Sequence, residues 1–134
     1  MIQDTLPDKP SDLLELALKD LLKAEQDENL EIVMQYWHFP RKGKCLVCLA
    51  GACLHYEYGL SSNQTYTNLK ISDSVIDKLL ALNLLRRGEV RTALRYLDRN
   101  TKVSDIIPAQ YEKDRDLFIQ QIEELVVELR KEGN

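Results

Sequence analysis

Apolar residues recur at helical spacing over residues 11–27, where leucines and alanines are separated by charged residues. A period of 3.6 residues places these apolar side chains on one face, which predicts an amphipathic helix. Ser11 carries the hydroxyl of a helix cap and stands just before the first leucine of the pattern. Pro7 and Pro10 interrupt regular structure ahead of it. The pattern therefore predicts a flexible leader over 1–10 and a single helical domain over 11–134.

The spacing of apolar residues changes twice in the next part of the chain. Residues 32–37 place Ile, Met and Tyr at every second position, which predicts a short strand. Residues 39–43 then combine a proline and a glycine, which is typical of a turn. Residues 45–56 are apolar nearly all round, so we expect a buried helix there. Gly51 lies between two alanines in this segment, and its bare backbone should let another element approach closely.

The remaining chain again predicts helices. Ser72 caps a pattern over 73–85, Gly88 ends it, and a shorter helix follows over 90–97. The last helix should begin near Pro108. Its near-heptad seam could serve either the chain's own core or a homodimer, and consists of Tyr111, Phe118, Ile122, Leu125 and Leu129. We therefore predict a mainly α fold, a compact bundle of about five helices, and leave open a short two-stranded β ribbon.

Composition narrows the class of protein. Hydrophobic residues make up 44% of the 134-residue chain and charged residues 30%, which is typical of a globular domain. No apolar run has the length of about 20 residues that a membrane span needs. The acidic N-terminal segment has none of the features of a signal peptide. Three cysteines are an odd number, which favours reduced thiols. We therefore expect a cytoplasmic protein without a membrane partner.

All three cysteines and both histidines fall within residues 38–55. Zinc prefers these ligand types, and His38, Cys45 and Cys48 could supply three of the four ligands of a closed site. Sulfurs bound to one zinc ion lie about 4 Å apart. If 45–55 were one helix, Cys45 and Cys53 would be separated by about 12 Å of rise. Cys53 and His55 would then be excluded from the same ion unless the helix breaks.

Two other interpretations of this window remain. Cys45 is expected at a helix N-terminus just after Lys42 and Lys44, and both features would favour a reactive thiolate. The interpretation that we favour is plain core packing, since free cysteine is among the most buried residue types. Trp37 and Phe39 would then be large core residues beside the turn. This interpretation requires no cofactor and assigns no catalytic residue.

Positive charge collects in two places. One is the predicted turn, with Arg41, Lys42 and Lys44. The other is a stripe within residues 86–102, in which arginines spaced by four could share one helix face: Arg87, Arg91, Arg95 and Arg99. Either group could bind an anion or nucleic acid, or could simply be a solvated face. Exposed aromatics interleaved with the charges are not evident, which argues against nucleic acid.

One stretch of about 20 residues also carries a resemblance. An aromatic-His turn followed by Cys-x-x-Cys-x-Ala-Gly resembles a segment in small proteins of phage and prophage origin. The matching residues in this chain are Trp37, His38, Cys45, Cys48, Ala50 and Gly51. The resemblance implies a small accessory protein that acts on host or defence machinery. It implies no catalytic residue.

These observations favour a non-catalytic, phage-type accessory protein that binds a host or phage macromolecule, with a protein as the expected partner. One alternative is a zinc- or thiol-dependent protein, either an enzyme or a metal protein, whose site is centred on residues 38–48. The other is an anion or nucleic-acid binder that uses the arginine stripe.

Overall fold

The computed structural model describes residues 4–62, 70–85, 89–97 and 109–134. Within them the chain forms five helices and one three-stranded sheet. In chain order these are α1 (Pro10–Glu25), β1 (Leu30–Ile32), β2 (His38–Arg41), β3 (Lys44–Val47), α2 (Leu49–Tyr58), α3 (Asp73–Leu85), α4 (Val90–Leu97) and α5 (Arg115–Lys131). The prediction of a mainly α fold is confirmed. The sheet has three strands rather than the two that the sequence left open, so a plain helix bundle does not fully describe the fold.

The sheet is built around β3. Its order is β1-β3-β2, with β1 parallel to β3 and β2 antiparallel to it. The strand expected over 32–37 lies earlier, over Leu30–Ile32. The turn expected over 39–43 is shorter, because residues 38–41 pair with β3 and only Lys42 and Gly43 make the connection. Both have positive φ, 44° and 83°, which is the pattern of a tight hairpin turn.

A main core joins all five helices. Its largest fully buried side chains include Leu13 and Leu14 of α1, Leu54 of α2, Leu82 of α3 and Phe118 of α5. Four members of the expected heptad seam are buried in this core, so α5 uses that seam within its own chain: Phe118, Ile122, Leu125 and Leu129. A smaller cluster lies between the sheet and the helices, with Ala24, Leu30, Cys45, Val47 and Ala52.

Two helix starts differ from the sequence predictions. Helix α1 begins at Pro10 with Lys9 at the N-cap. Ser11 is therefore not the cap, and its hydroxyl instead donates to the Asn134 carbonyl oxygen at 2.9 Å. Helix α5 begins at Arg115 rather than near Pro108, because the Asp114 carboxylate caps it by accepting from the Leu117 amide at 3.1 Å. Pro108 itself lies outside the described residues.

Residues 4–9, within the expected leader, lie against α3. Leu6 is buried, and the ammonium group of Lys78 donates to the Leu6 carbonyl oxygen at 3.0 Å. The same group forms ion pairs with Asp4 at 2.7 Å and Asp8 at 2.9 Å. Among the described residues, no helix is both long and apolar enough to cross a lipid bilayer.

Candidate functional site

The cysteine and histidine window folds as a hairpin followed by a helix, and not as one helix. Cys45 lies inside β3, and Cys48 is the N-cap of α2, where its sulfur accepts from the Gly51 amide at 3.4 Å. The buried helix expected from residue 45 therefore begins only at Leu49, after strand β3. Strand pairing with β1 and β2 decides the conformation of residues 44–47, and single-residue hydrophobicity cannot reveal that pairing.

The break at Cys48 brings His55 into contact with His38. The His38 side chain is buried and lies between two partners: its Nδ1 is 3.2 Å from Cys45 Sγ, and its Nε2 is 3.3 Å from His55 Nδ1. The two imidazole rings stack with centroids 5.5 Å apart. The sequence argument excluded His55 from a shared metal ion only for a continuous helix, and residues 45–55 do not form one.

The Cys45 and Cys53 thiols are poorly suited to nucleophilic chemistry. Burial raises the pKa of Cys45 to about 11, so the group stays a neutral thiol near pH 7. Burial also raises the pKa of Cys53 well above its usual range. Among the described residues, no group of three or more His, Cys, Asp and Glu side chains is placed to hold a metal ion. Of the three predicted zinc ligands, His38 and Cys45 are in contact, while the Cys48 sulfur caps α2.

The β2–β3 hairpin and the segment just before it present a second, very different group of side chains. Phe39 is 45% exposed, and its ring stacks on that of Tyr36, itself 39% exposed, with centroids 5.3 Å apart. The expectation that Phe39 is a core residue was therefore wrong. Arg41, Lys42 and Lys44, at the turn of the same hairpin as Phe39, are all exposed. We call these five residues the hairpin surface.

Strand geometry places the charges and the Phe39 ring together. Successive side chains in a strand point to opposite faces, so Phe39 and Arg41 share the outer face while His38 points inward. Arg41 pairs directly with Lys44 across the hairpin. Like charges at directly opposite positions destabilise an antiparallel pair. Within the described parts of the chain, no acidic side chain forms an ion pair with either of them.

This like-charge pair leads to a prediction about stability. Replacing Lys44 by glutamate should raise the thermal unfolding midpoint by about 2 °C at low salt, because repulsion from Arg41 becomes attraction. Lys44→Gln removes the repulsion from Arg41 without adding an attraction, so its unfolding midpoint should fall between those of wild type and Lys44→Glu. The gain should shrink at high salt. A lower midpoint for Lys44→Glu in calorimetry would contradict the unfavourable Arg41–Lys44 contact.

The predicted arginine stripe is only partly described. Arg91 and Arg95 are exposed on α4, one helical turn apart. Arg87 and Arg99 lie outside the described residues, so the four-residue face expected from the spacing stays a prediction. Arg41, Lys42 and Lys44, by contrast, are held together by the geometry of one hairpin.

A buried acid lies apart from the hairpin surface, between α1 and α2. Asp20 is fully buried, and neither of its carboxyl oxygens has a hydrogen-bond partner among the described residues. Burial, followed by the nearby Glu57 carboxylate, raises the pKa of Asp20 to about 8. This carboxyl is therefore mostly protonated at neutral pH.

Sequence reasoning missed both Asp20 and the aromatic half of the hairpin surface. A signal for Asp20 was present, since residues 17, 20 and 24 share one helix face and the other two are alanines. The alternation that puts Phe39 outward was also present, but it could be recognised only after residues 38–41 were assigned to a strand.

Comparison with known proteins assigns this chain to no family. No protein-family model matches the chain, and neither a curated protein nor a solved structure matches it. The resemblance to phage and prophage proteins therefore stays a prediction.

Proposed function

We propose that this chain is a non-catalytic binding protein that contacts an anionic partner macromolecule through the hairpin surface. The observation that carries the proposal is three exposed cations at the turn of one hairpin together with two exposed, stacked aromatic rings, Phe39 in β2 and Tyr36 two residues before that strand. Aromatic residues and arginine are the side chains most enriched at binding hot spots. Phage-type accessory action on host machinery is the setting in which we place this activity, following the resemblance of residues 37–51.

Charge distribution supports an anionic partner. The chain as a whole has a net charge of -4, so the positive hairpin stands out against an acidic molecule. Exposed acids line other surfaces, including the outer side of α5 with Glu123 and Glu124. A partner attracted to the hairpin would thus be repelled elsewhere, which favours one orientation on approach.

The rigidity of the hairpin surface also supports binding. The Trp37 backbone lies directly against Gly51 of α2, and the Trp37 side chain packs on the main core. Just before it, the Met34 amide donates to the Glu112 carboxylate at 3.3 Å. The segment that carries Tyr36 is therefore anchored on both sides, so little conformational entropy is lost when a partner binds.

Partner capture tests this proposal. The wild-type chain, immobilised in a bacterial lysate, should retain a stoichiometric partner, and Lys44→Glu should lose it. Lys131→Glu reverses an exposed charge on α5 and serves as the matched control, so it should retain the partner. Recovery of the same partner, in the same amount, with Lys44→Glu would overturn the role of the hairpin surface.

A further inference from the structure

We infer that the partner of the hairpin surface is a single-stranded nucleic acid. This inference rests on the proposed function and specifies the chemical class of the partner. Phosphates would bind Arg41, Lys42 and Lys44, and an unpaired base would stack on the Tyr36–Phe39 pair. Proteins that bind single strands combine these two elements, a positive path for the backbone and aromatic rings for the bases.

The first argument is the unbalanced charge. Three cations lie within four residues at the tip of one hairpin, and two of them face each other across the strands. No acid among the described residues forms an ion pair with Arg41, Lys42 or Lys44. The repulsion is relieved when closely spaced negative charges bind, and a phosphate chain supplies such charges at regular intervals.

The second argument is the exposed aromatic pair. The Tyr36 and Phe39 rings stack with an angle of 28° between their planes, yet both remain more than one third exposed. Most large apolar side chains in the described part of the chain are buried or partly buried, whereas these two rings stay open to a partner. An acidic peptide would satisfy the cations, but most of its residues have no flat ring to place on this pair. A nucleobase does, and every base has such a face.

The third argument is spacing along the strand. Phe39 and Arg41 are two residues apart on the same face of β2, which separates them by roughly 7 Å along the strand. A base stacked on Phe39 would therefore leave a neighbouring phosphate within reach of the guanidinium group. Paired bases in a duplex are stacked inside the helix, so their faces cannot reach the ring. The geometry consequently favours a single strand over a duplex.

Fluorescence anisotropy with a labelled 12-mer of oligothymidylate tests the inference. The wild-type chain should bind it at least about tenfold more tightly than a labelled 12-base-pair duplex at the same salt concentration. Phe39→Ala should weaken binding about tenfold while all charges remain. Lys44→Glu should weaken binding by a similar factor. It should also reduce the dependence of the logarithm of affinity on the logarithm of salt concentration by the amount expected for about one phosphate contact. Tyr36→Ala provides a second aromatic variant if Phe39→Ala does not fold.

Matched controls separate this surface from others. Lys131→Glu and Val127→Ala alter an exposed cation and a 54% exposed apolar residue on α5, and each should change affinity less than twofold. Arg95→Glu on α4 should also leave most of the affinity intact. Loss of binding with Arg95→Glu but not with Lys44→Glu would overturn the inference in favour of the arginine stripe.

Failure of the inference and failure of the proposed function give different results. If the 12-mer does not bind, but a polyglutamate peptide binds and Lys44→Glu weakens that binding, the partner is an acidic protein. The inference of a nucleic acid is then wrong, while the proposed function stands. Equal binding of duplex and single strand without dependence on Phe39 would likewise overturn it. If neither polyanion binds and partner capture is independent of Lys44, the hairpin surface is not a binding site.

Discussion

Replacing Gly51 by alanine should lower the free energy of unfolding by about 3 kcal/mol or more. A Cβ atom on Gly51 would overlap the carbonyl oxygen and carbon of Trp37 and would lie 3.3 Å from its Cα. These are backbone atoms, so no side-chain rotation can relieve the overlap. Residues 36–37 would have to move away from α2, and the Tyr36–Phe39 pair would move with them. Thermal and denaturant unfolding measure the loss directly.

Gly59→Ala provides the control for this prediction. Gly59 is the C-cap of the same helix, and a Cβ there would meet no atom within 4 Å. Its φ of 66° lies in the left-handed region, so alanine should cost about 1 kcal/mol through backbone conformation alone. The difference between the two variants isolates the contact with Trp37. A Gly51→Ala protein as stable as Gly59→Ala would show that residues 36–37 do not press against α2.

Asp20→Asn is expected to stabilise the protein by about 1–3 kcal/mol at pH 8. In the folded chain, burial and the Glu57 carboxylate raise the pKa of Asp20 to about 8, against an ordinary value of 3.8. Between these two values the folded state holds a proton that the unfolded state has released. The Asp20 contribution to stability is therefore complete below about pH 4 and is lost as pH rises toward 8, by at most about 1.4 kcal/mol per pH unit. An asparagine has no proton to lose.

The difference between the wild-type and Asp20→Asn stability curves over pH 5–8 isolates this effect. Other groups, including Asp4 and Glu25, whose pKa values are lowered by Lys78 and Arg115 respectively, contribute equally to both proteins. Wild type should lose stability relative to the variant as pH rises. Glu57→Gln should lower the total loss over this pH range without abolishing it, because burial is the larger cause of the raised pKa of Asp20. Parallel curves for wild type and Asp20→Asn would contradict a protonated Asp20.

Much of the helical architecture could be predicted from periodicity. The apolar spacing over 11–27 and 73–85 corresponds to α1 and α3, and the bare backbone at Gly51 does accept a close neighbour. Residues 38–47 could not be predicted in the same way. The central strand β3 is buried on both faces over residues 45–47 and is apolar along that length, so from the sequence it looks like the start of a buried helix.

The hairpin surface was predictable only in part. The cations at 41, 42 and 44 were evident as a cluster, because charge can be read from the sequence directly. Their cross-strand register and the outward position of Phe39 depend on pairing between β2 and β3, which the sequence does not encode locally. The contact between His38 and His55 likewise depends on the change from strand to helix at Cys48.

The most direct test of the hairpin surface is to measure unfolding and partner capture on one preparation of Lys44→Glu. Removing a cation that repels Arg41 should raise the unfolding midpoint, and removing a contact to an anionic partner should abolish capture. We expect a more stable protein that no longer binds. A more stable protein that captures its partner as well as wild type would contradict binding through the hairpin surface.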